Sequence, residues 1–344
     1  MLLTVSETWM IIISISLLIL LYISFVLFLV IYCERKYFIK KINEDEIIKN
    51  QTYNDFKDLK KETFSFISNK NKINGEIYYY KEKKLDEVII FSLGFKTTIN
   101  YYINEIAYFA SLGYTVFTYE YCGVGKSEGK KFRGPTQAII DLNNCIKYFK
   151  EENPNSKIIL VGHSMGAYAS CNVINFQDVN KVIAISPFNH IVKVVSQTIY
   201  QTSSRKIFLF PIIYRIVLFF KFGKYSNLKT YETLKRSNIK VLVLHGMDDK
   251  TVLVDDCLNS MMTNINMNVK YLVLDNKQHY PLQSSNAINY NLFLKHELSD
   301  LKIKYNKKIP NQEIINLNKN INYKLKNEFD KEVLLVVEKF LSEE

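Results

Sequence analysis

Four apolar residues of strand character, Ile158-Ile159-Leu160-Val161, run straight into Gly162-His163-Ser164-Met165-Gly166, and helix formers follow from Ala167. That order fits a serine carried on a tight strand-to-helix turn, with its hydroxyl pushed out of a sheet. Gly162 and Gly166 suit positions where a side chain would collide with neighbouring backbone. The turn makes Ser164 a candidate nucleophile. The plain alternative is a glycine-rich strand end.

Around this turn, strand and helix signals alternate. Residues 75–80 and 87–91 read as strands joined by a Lys-rich turn. A helix over 103–111 leads through Gly113 to a strand at 114–119, and a helix over 136–150 precedes the elbow strand. Further strands are expected at 181–186, 240–244 and 269–274. Near the C-terminal end, Val333, Leu334, Val337 and Leu341 repeat at three- and four-residue steps, the pattern of one helix face. Strands alternating with helices imply an α/β class, a mostly parallel sheet flanked by helices. With 344 residues, 48% of them hydrophobic, the chain can bury the core such a sheet needs. Cys33, Cys122, Cys145, Cys171 and Cys257 are scattered, odd in number and without metal-type spacing. Neither a disulfide framework nor a zinc site is indicated, and a reducing compartment fits better.

The N-terminal end is of another kind. Residues 9–32 are 24 residues without a charge, including Ile11-Ile12-Ile13 and Leu17-Leu18-Ile19-Leu20-Leu21. As a helix they span about 36 Å, enough to cross a bilayer core of about 30 Å with some tilt. Trp9 and Tyr32 stand at the two ends, where aromatic side chains favour the interface. A cleaved signal peptide would want a basic start, a shorter apolar core and a small-residue cleavage site. None is visible, so an uncleaved transmembrane helix is expected. Residues 1–8 hold no Lys or Arg, while Arg35, Lys36, Lys40 and Lys41 follow the apolar run. The positive-inside bias then puts the remainder in the cytoplasm. Glu34, Glu44, Asp45 and Glu46 dilute that charge, and the sequon Asn50-Gln51-Thr52 argues the other way. Residues 33–69, charged and weakly periodic, suit a partly helical juxtamembrane linker ahead of a domain at 70–344.

A serine hydroxyl is a poor nucleophile at neutral pH and needs a base within hydrogen-bond reach. Five histidines are available. His163 fills a variable position of the elbow and is expected to point elsewhere. His190 begins a basic segment, His245 ends a strand before a glycine, and His296 sits in a charged helical stretch. His279 lies in Asp275-Asn276-Lys277-Gln278-His279-Tyr280-Pro281, after the last strand. That is the edge where open α/β sheets place their chemistry, which makes His279 the candidate base. Its imidazole needs an orienting carboxylate. Asp248 or Asp249, both following the strand at 240–244, could supply it. Backbone amides must also hold a tetrahedral oxyanion. Met165 is one candidate donor. Phe95 is the other, in a loop that Gly94 lets turn tightly.

Taken in order, Gly94-Phe95, Tyr121-Cys122-Gly123-Val124-Gly125-Lys126-Ser127-Glu128-Gly129, the Ser164 elbow, Gly246-Met247-Asp248-Asp249-Lys250-Thr251-Val252 and His279 resemble the α/β-hydrolase superfamily. The nearest likeness is to its monoglyceride lipase, lysophospholipase and serine aminopeptidase-like branch. The resemblance runs from about residue 72 to the C-terminus and implies an α/β-hydrolase fold. It also implies a serine esterase that uses no metal or organic cofactor. In that family the acid stands three residues after the glycine, which selects Asp249. The implied site is therefore Ser164, Asp249 and His279, with the amides of Phe95 and Met165 as oxyanion hole. Two departures touch substrate details rather than the triad. Leu93-Gly94 stands where relatives often carry His-Gly, and Glu120-Tyr121-Cys122-Gly123 where they often carry Asp-x-Arg-Gly. Residues 282–328 also form a longer run than usual.

The resemblance further implies a helical cap at about 189–236. Between Phe188 and Lys240 ten Lys and Arg face a single acid, Glu232, within a chain of net charge +11. No nucleic-acid signature accompanies this patch, so a lipid partner is favoured. Residues 207–222 are apolar but broken by Pro211 and Arg215, too short for a second span. A lid helix is expected there, either burying the pocket or dipping into a membrane interface. The implied substrate is a monoacylglycerol, a lysophospholipid or a related acyl ester. An acylated protein thioester is the alternative among enzymes, and a non-catalytic scaffold of the same fold is the alternative outside them.

Overall fold

The computed structural model describes residues 4–38, 47–203, 207–254 and 266–343. Lys40, Lys41, Glu44, Asp45, Glu46, Arg205, Lys206 and Cys257, which entered the sequence reading, lie outside them. The chain opens with helix α1 (Val5–Phe38) and then builds one sheet. Its strands are β1 (Lys60–Ser68), β2 (Asn71–Tyr79), β3 (Glu87–Ser92), β4 (Thr115–Tyr119), β5 (Lys157–His163), β6 (Lys181–Ile185), β7 (Lys240–Gly246) and β8 (Val269–Leu274). They lie in the order β1-β2-β4-β3-β5-β6-β7-β8. The pairs β1/β2 and β2/β4 are antiparallel and all the others parallel. Strands β4 and β6 and nearly all of β3, β5 and β7 are buried, as expected of a sheet covered on both faces.

Helices α2 (Ile103–Ser111), α3 (Pro135–Glu152) and α4 (Met165–Val173) connect the central strands. Between β6 and β7 run α5 (Ile191–Ser203), α6 (Phe210–Phe222) and α7 (Thr230–Arg236), the segment expected as a cap. After β8 come α8 (Ser285–Lys304), α9 (Asn311–Lys319), α10 (Tyr323–Lys326) and α11 (Lys331–Ser342). In the register, Ser92 of β3 pairs with Gly162 of β5, and His163 pairs with Ile185 of β6. The C-terminal ends of these parallel strands thus come level at one edge of the sheet.

Three features differ from the sequence reading. The sheet begins at Lys60, inside the segment expected as linker over 33–69. Lys60-Lys61-Glu62 conceals β1, an edge strand that shows much of its surface to solvent. The strands expected at 75–80 and 87–91 are joined in sequence but not paired, because β4 lies between them. Helix α1 runs on past residue 32 to Phe38, and Val26, Val30, Glu34 and Phe38, four residues apart, are buried along it. The long run over 282–328 also finds a structural place. Asn318 Nδ2 donates to the Ile47 carbonyl (2.7 Å), and Lys326 Nζ donates to Asn50 Oδ1 (2.6 Å). It clasps the chain that follows α1.

Candidate active site

Ser164 stands between β5 and α4 with φ 52° and ψ −110°. This is a left-handed backbone that a non-glycine residue adopts only under constraint. The constraint is visible. Its N–H donates to the Ile185 carbonyl on β6 (2.7 Å), and its own carbonyl accepts the Tyr168 amide (2.9 Å). A Cβ on Gly162 would strike the Gly166 carbonyl carbon, and one on Gly166 would strike the Ser92 carbonyl oxygen on β3. Both glycines are therefore required by close backbone approach.

Asp249 and His279 meet at the same edge, from the ends of β7 and β8. His279 Nδ1 lies 2.7 Å from Asp249 Oδ2. The other carboxylate oxygen accepts the amides of Thr251 (2.8 Å) and Val252 (2.9 Å). Burial by itself would raise the Asp249 pKa. Hydrogen bonds from His245 and His279, with the Val252 amide, override it and hold the carboxyl well below its usual range. Asp248 is exposed, so of the two acids only Asp249 is built into the site. Ser164 Oγ has no hydrogen-bond partner among the described residues. No hydrogen bond joins it to His279, and catalytic hydrogen bonds of this type often form fully only in the substrate complex.

Met165 opens α4, so its amide is one of the unpaired donors of a helix N-terminus. Phe95 lies in the loop after β3, where Lys96 has φ 59°. Gly94 is needed there for a reason other than turning. A Cβ on it would run into Tyr102 Oη. The loop is pinned on the other side by Tyr121 Oη, which donates to the Leu93 carbonyl (2.9 Å). Tyr121 belongs to the stretch where this chain departs from its look-alikes.

With this geometry, likeness to known proteins can be weighed. The serine aminopeptidase S33 family matches residues 83–213. An esterase from Pyrococcus furiosus superposes with a TM-score of 0.54 at 19% identity, covering 77% of this chain and 98% of its own. An acylaminoacyl peptidase from Pyrococcus horikoshii superposes with a TM-score of 0.50 at 18% identity, covering 66% of this chain and 38% of its own. No curated protein matches the sequence. The fold is that of the α/β serine hydrolases.

Two histidines set aside on sequence grounds belong to this candidate site. His163 does not point away. Its Nε2–H donates to the His279 carbonyl (2.9 Å), and its Nδ1 accepts Tyr102 Oη–H (2.7 Å). Tyr102 Oη in turn accepts the Gly94 amide (3.1 Å). A buried relay therefore ties the Phe95 loop to the loop carrying His279. Burial, with repulsion from His279, pushes the His163 pKa down to about 3, so the ring that makes these bonds is neutral. His245 is fully buried, with Nε2 2.9 Å from the Val252 carbonyl and 3.3 Å from Asp249 Oδ2. Sequence offered no signal for either role, because each ring is held in part by a backbone carbonyl, which no side-chain motif reveals.

Ser164 lines an apolar cavity of about 180 Å³ whose walls include Phe38, Phe95, Pro135, Ile191, Val195 and Val252. Among the described residues no group of three His, Cys, Asp or Glu could hold a metal ion.

Proposed function

We propose that this chain is a membrane-anchored serine hydrolase that cleaves carboxylic esters of lipid character. One observation carries the reading. Ser164 sits on a constrained elbow at the sheet edge where Asp249 holds His279 by a 2.7 Å hydrogen bond.

Ser164 Oγ attacks the acyl carbonyl while its proton passes to His279 Nε2. The carbonyl oxygen becomes an oxyanion, held by the amides of Met165 and Phe95. Collapse breaks the ester C–O bond, and the leaving alcohol takes the proton from His279. Water then gives its proton to His279 and attacks the acyl-enzyme, and the second collapse returns that proton to Ser164. Asp249 fixes the tautomer that leaves Nε2 facing the serine and stabilises the imidazolium. His163 positions the ring by holding the His279 main chain.

The lipid part of the reading has three supports. The cavity at Ser164 is walled by apolar side chains. Helix α1 has a 32-residue span, Val5–Lys36, long and apolar enough to cross a bilayer. Cap helix α6 turns Ile212, Ile216, Phe219 and Phe220 outward. Substrates of this chemistry are monoacylglycerols and lysophospholipids, and the domain from residue 47 onward faces the cytoplasm.

The test is labelling of the membrane-bound protein with a fluorophosphonate, beside Ser164→Ala and His279→Ala. Wild-type protein should label and both variants should not. Folded wild-type protein that fails to label sinks the hydrolase and leaves a scaffold of the same fold.

A further inference from the structure

Val26, Val30, Glu34 and Phe38 recur every fourth residue along α1, and all four are buried. This face packs along cap helix α6, where Lys221 pairs with Glu34. Phe38, at its end, reaches beyond the cap. It lines the Ser164 cavity, with its ring edge-on to Phe95 at 5.7 Å between centroids. On its other side stands Gly134, φ 87°, where a Cβ would come 3.2 Å from Phe38 Cδ1. The missing side chain at Gly134 is the seat of the Phe38 ring. The last residue of a helix suited to a membrane thus closes one wall of the candidate active site, between the oxyanion loop and the start of α3.

The size of the cavity gives this wall a consequence. About 180 Å³ is little more than the ~150 Å³ apolar cavity that accepts benzene, so it takes an acyl chain of about six carbons. A longer chain needs more room, and the Phe38 ring stands in one wall where that room would open. Resting on the reading of Ser164 as nucleophile, we propose that Phe38 is the specificity-determining residue for acyl-chain length, and that α1 is part of the acyl pocket as well as an anchor. A chain that outgrows the cavity reaches Ser164 by displacing Phe38 from its seat on Gly134. The ring's burial against Phe95 opposes that displacement, so discrimination falls on long substrates and spares short ones.

The experiment compares kcat/KM for p-nitrophenyl laurate and p-nitrophenyl butyrate, using the full chain in detergent micelles. Phe38→Ala should raise the laurate-to-butyrate ratio at least about tenfold over wild type, and Phe38→Trp should lower it. Phe38→Leu gives the direction of the Ala variant should that one fail to fold. Unchanged ratios in variants that still label with fluorophosphonate overturn the proposal alone. A wild-type protein that does not label overturns the hydrolase reading and this inference together.

Discussion

Asp249 divides its two oxygens between tasks. One is fixed by the Thr251 and Val252 amides, and the other faces His279 and His245. The residues of the candidate site were legible as candidates, since Ser164, Asp249 and His279 sit in short motifs at strand ends. Their supports were not. His163 contacts a carbonyl 116 residues further along the chain, and no spacing rule registers that. It does leave a thermodynamic trace. Its pKa is about 3 in the fold, through burial first and His279 second, against about 6.5 when unfolded. Between those values the unfolded chain binds a proton that the fold refuses. His163 therefore contributes stability that is full above about pH 6.5 and is lost as pH falls toward about 3. Replacing it with Gln removes that dependence. From pH 7 to pH 5 the wild-type unfolding free energy should drop about 2 kcal/mol more than that of His163→Gln. Urea unfolding of the detergent-solubilised chains measures both slopes, and parallel slopes would refute the point.

At the scale of elements, legibility followed burial. Strands β3, β5, β6 and β7 are near-continuous runs of Val, Ile and Leu because both faces are covered, and their bounds were close to the expected ones. Strand β1 pairs along its full length with β2 yet escaped notice, because Lys60, Lys61 and Glu62 read as linker. Helix α6 is apolar on two sides. Phe210, Tyr214, Leu218 and Phe222 face inward at four-residue steps, while Phe219 and Phe220 are 60% and 82% exposed. An exposed aromatic pair beside a long apolar helix is costly in water and favourable at a bilayer interface. Substituting both by Ser should slow hydrolysis of a long-chain ester presented in anionic vesicles several-fold, with butyrate ester hydrolysis in solution nearly unchanged. Equal losses in both assays would mean that the pair supports the pocket instead of the membrane.

At the scale of the whole molecule, the proposed membrane anchoring raises one question: which side of the membrane holds the sheet. The chain after α1 is tied into the domain, since Lys49, Asn50 and Gln51 bond to Asn318, Lys326 and Asn327. The Glu34–Lys221 pair joins α1 to the cap as well. With α1 in the bilayer, as proposed, the candidate active site is held near the membrane surface, on whichever side the C-terminal end of α1 emerges. Arg35 and Lys36 stand at that end, while the described N-terminal turn carries Glu7 and no basic residue. Translocating the basic end is the less favourable insertion, which argues for a cytoplasmic domain. The sequon at Asn50 is a weak counterargument, because that side-chain oxygen already accepts Lys326 Nζ in the fold. Protease added to intact cells should leave the domain whole and should digest it after permeabilisation. A tag placed ahead of residue 4 should show the opposite accessibility. Digestion of the domain in intact cells, or a glycan on Asn50, would reverse the orientation and place the esterase on the far side of the membrane.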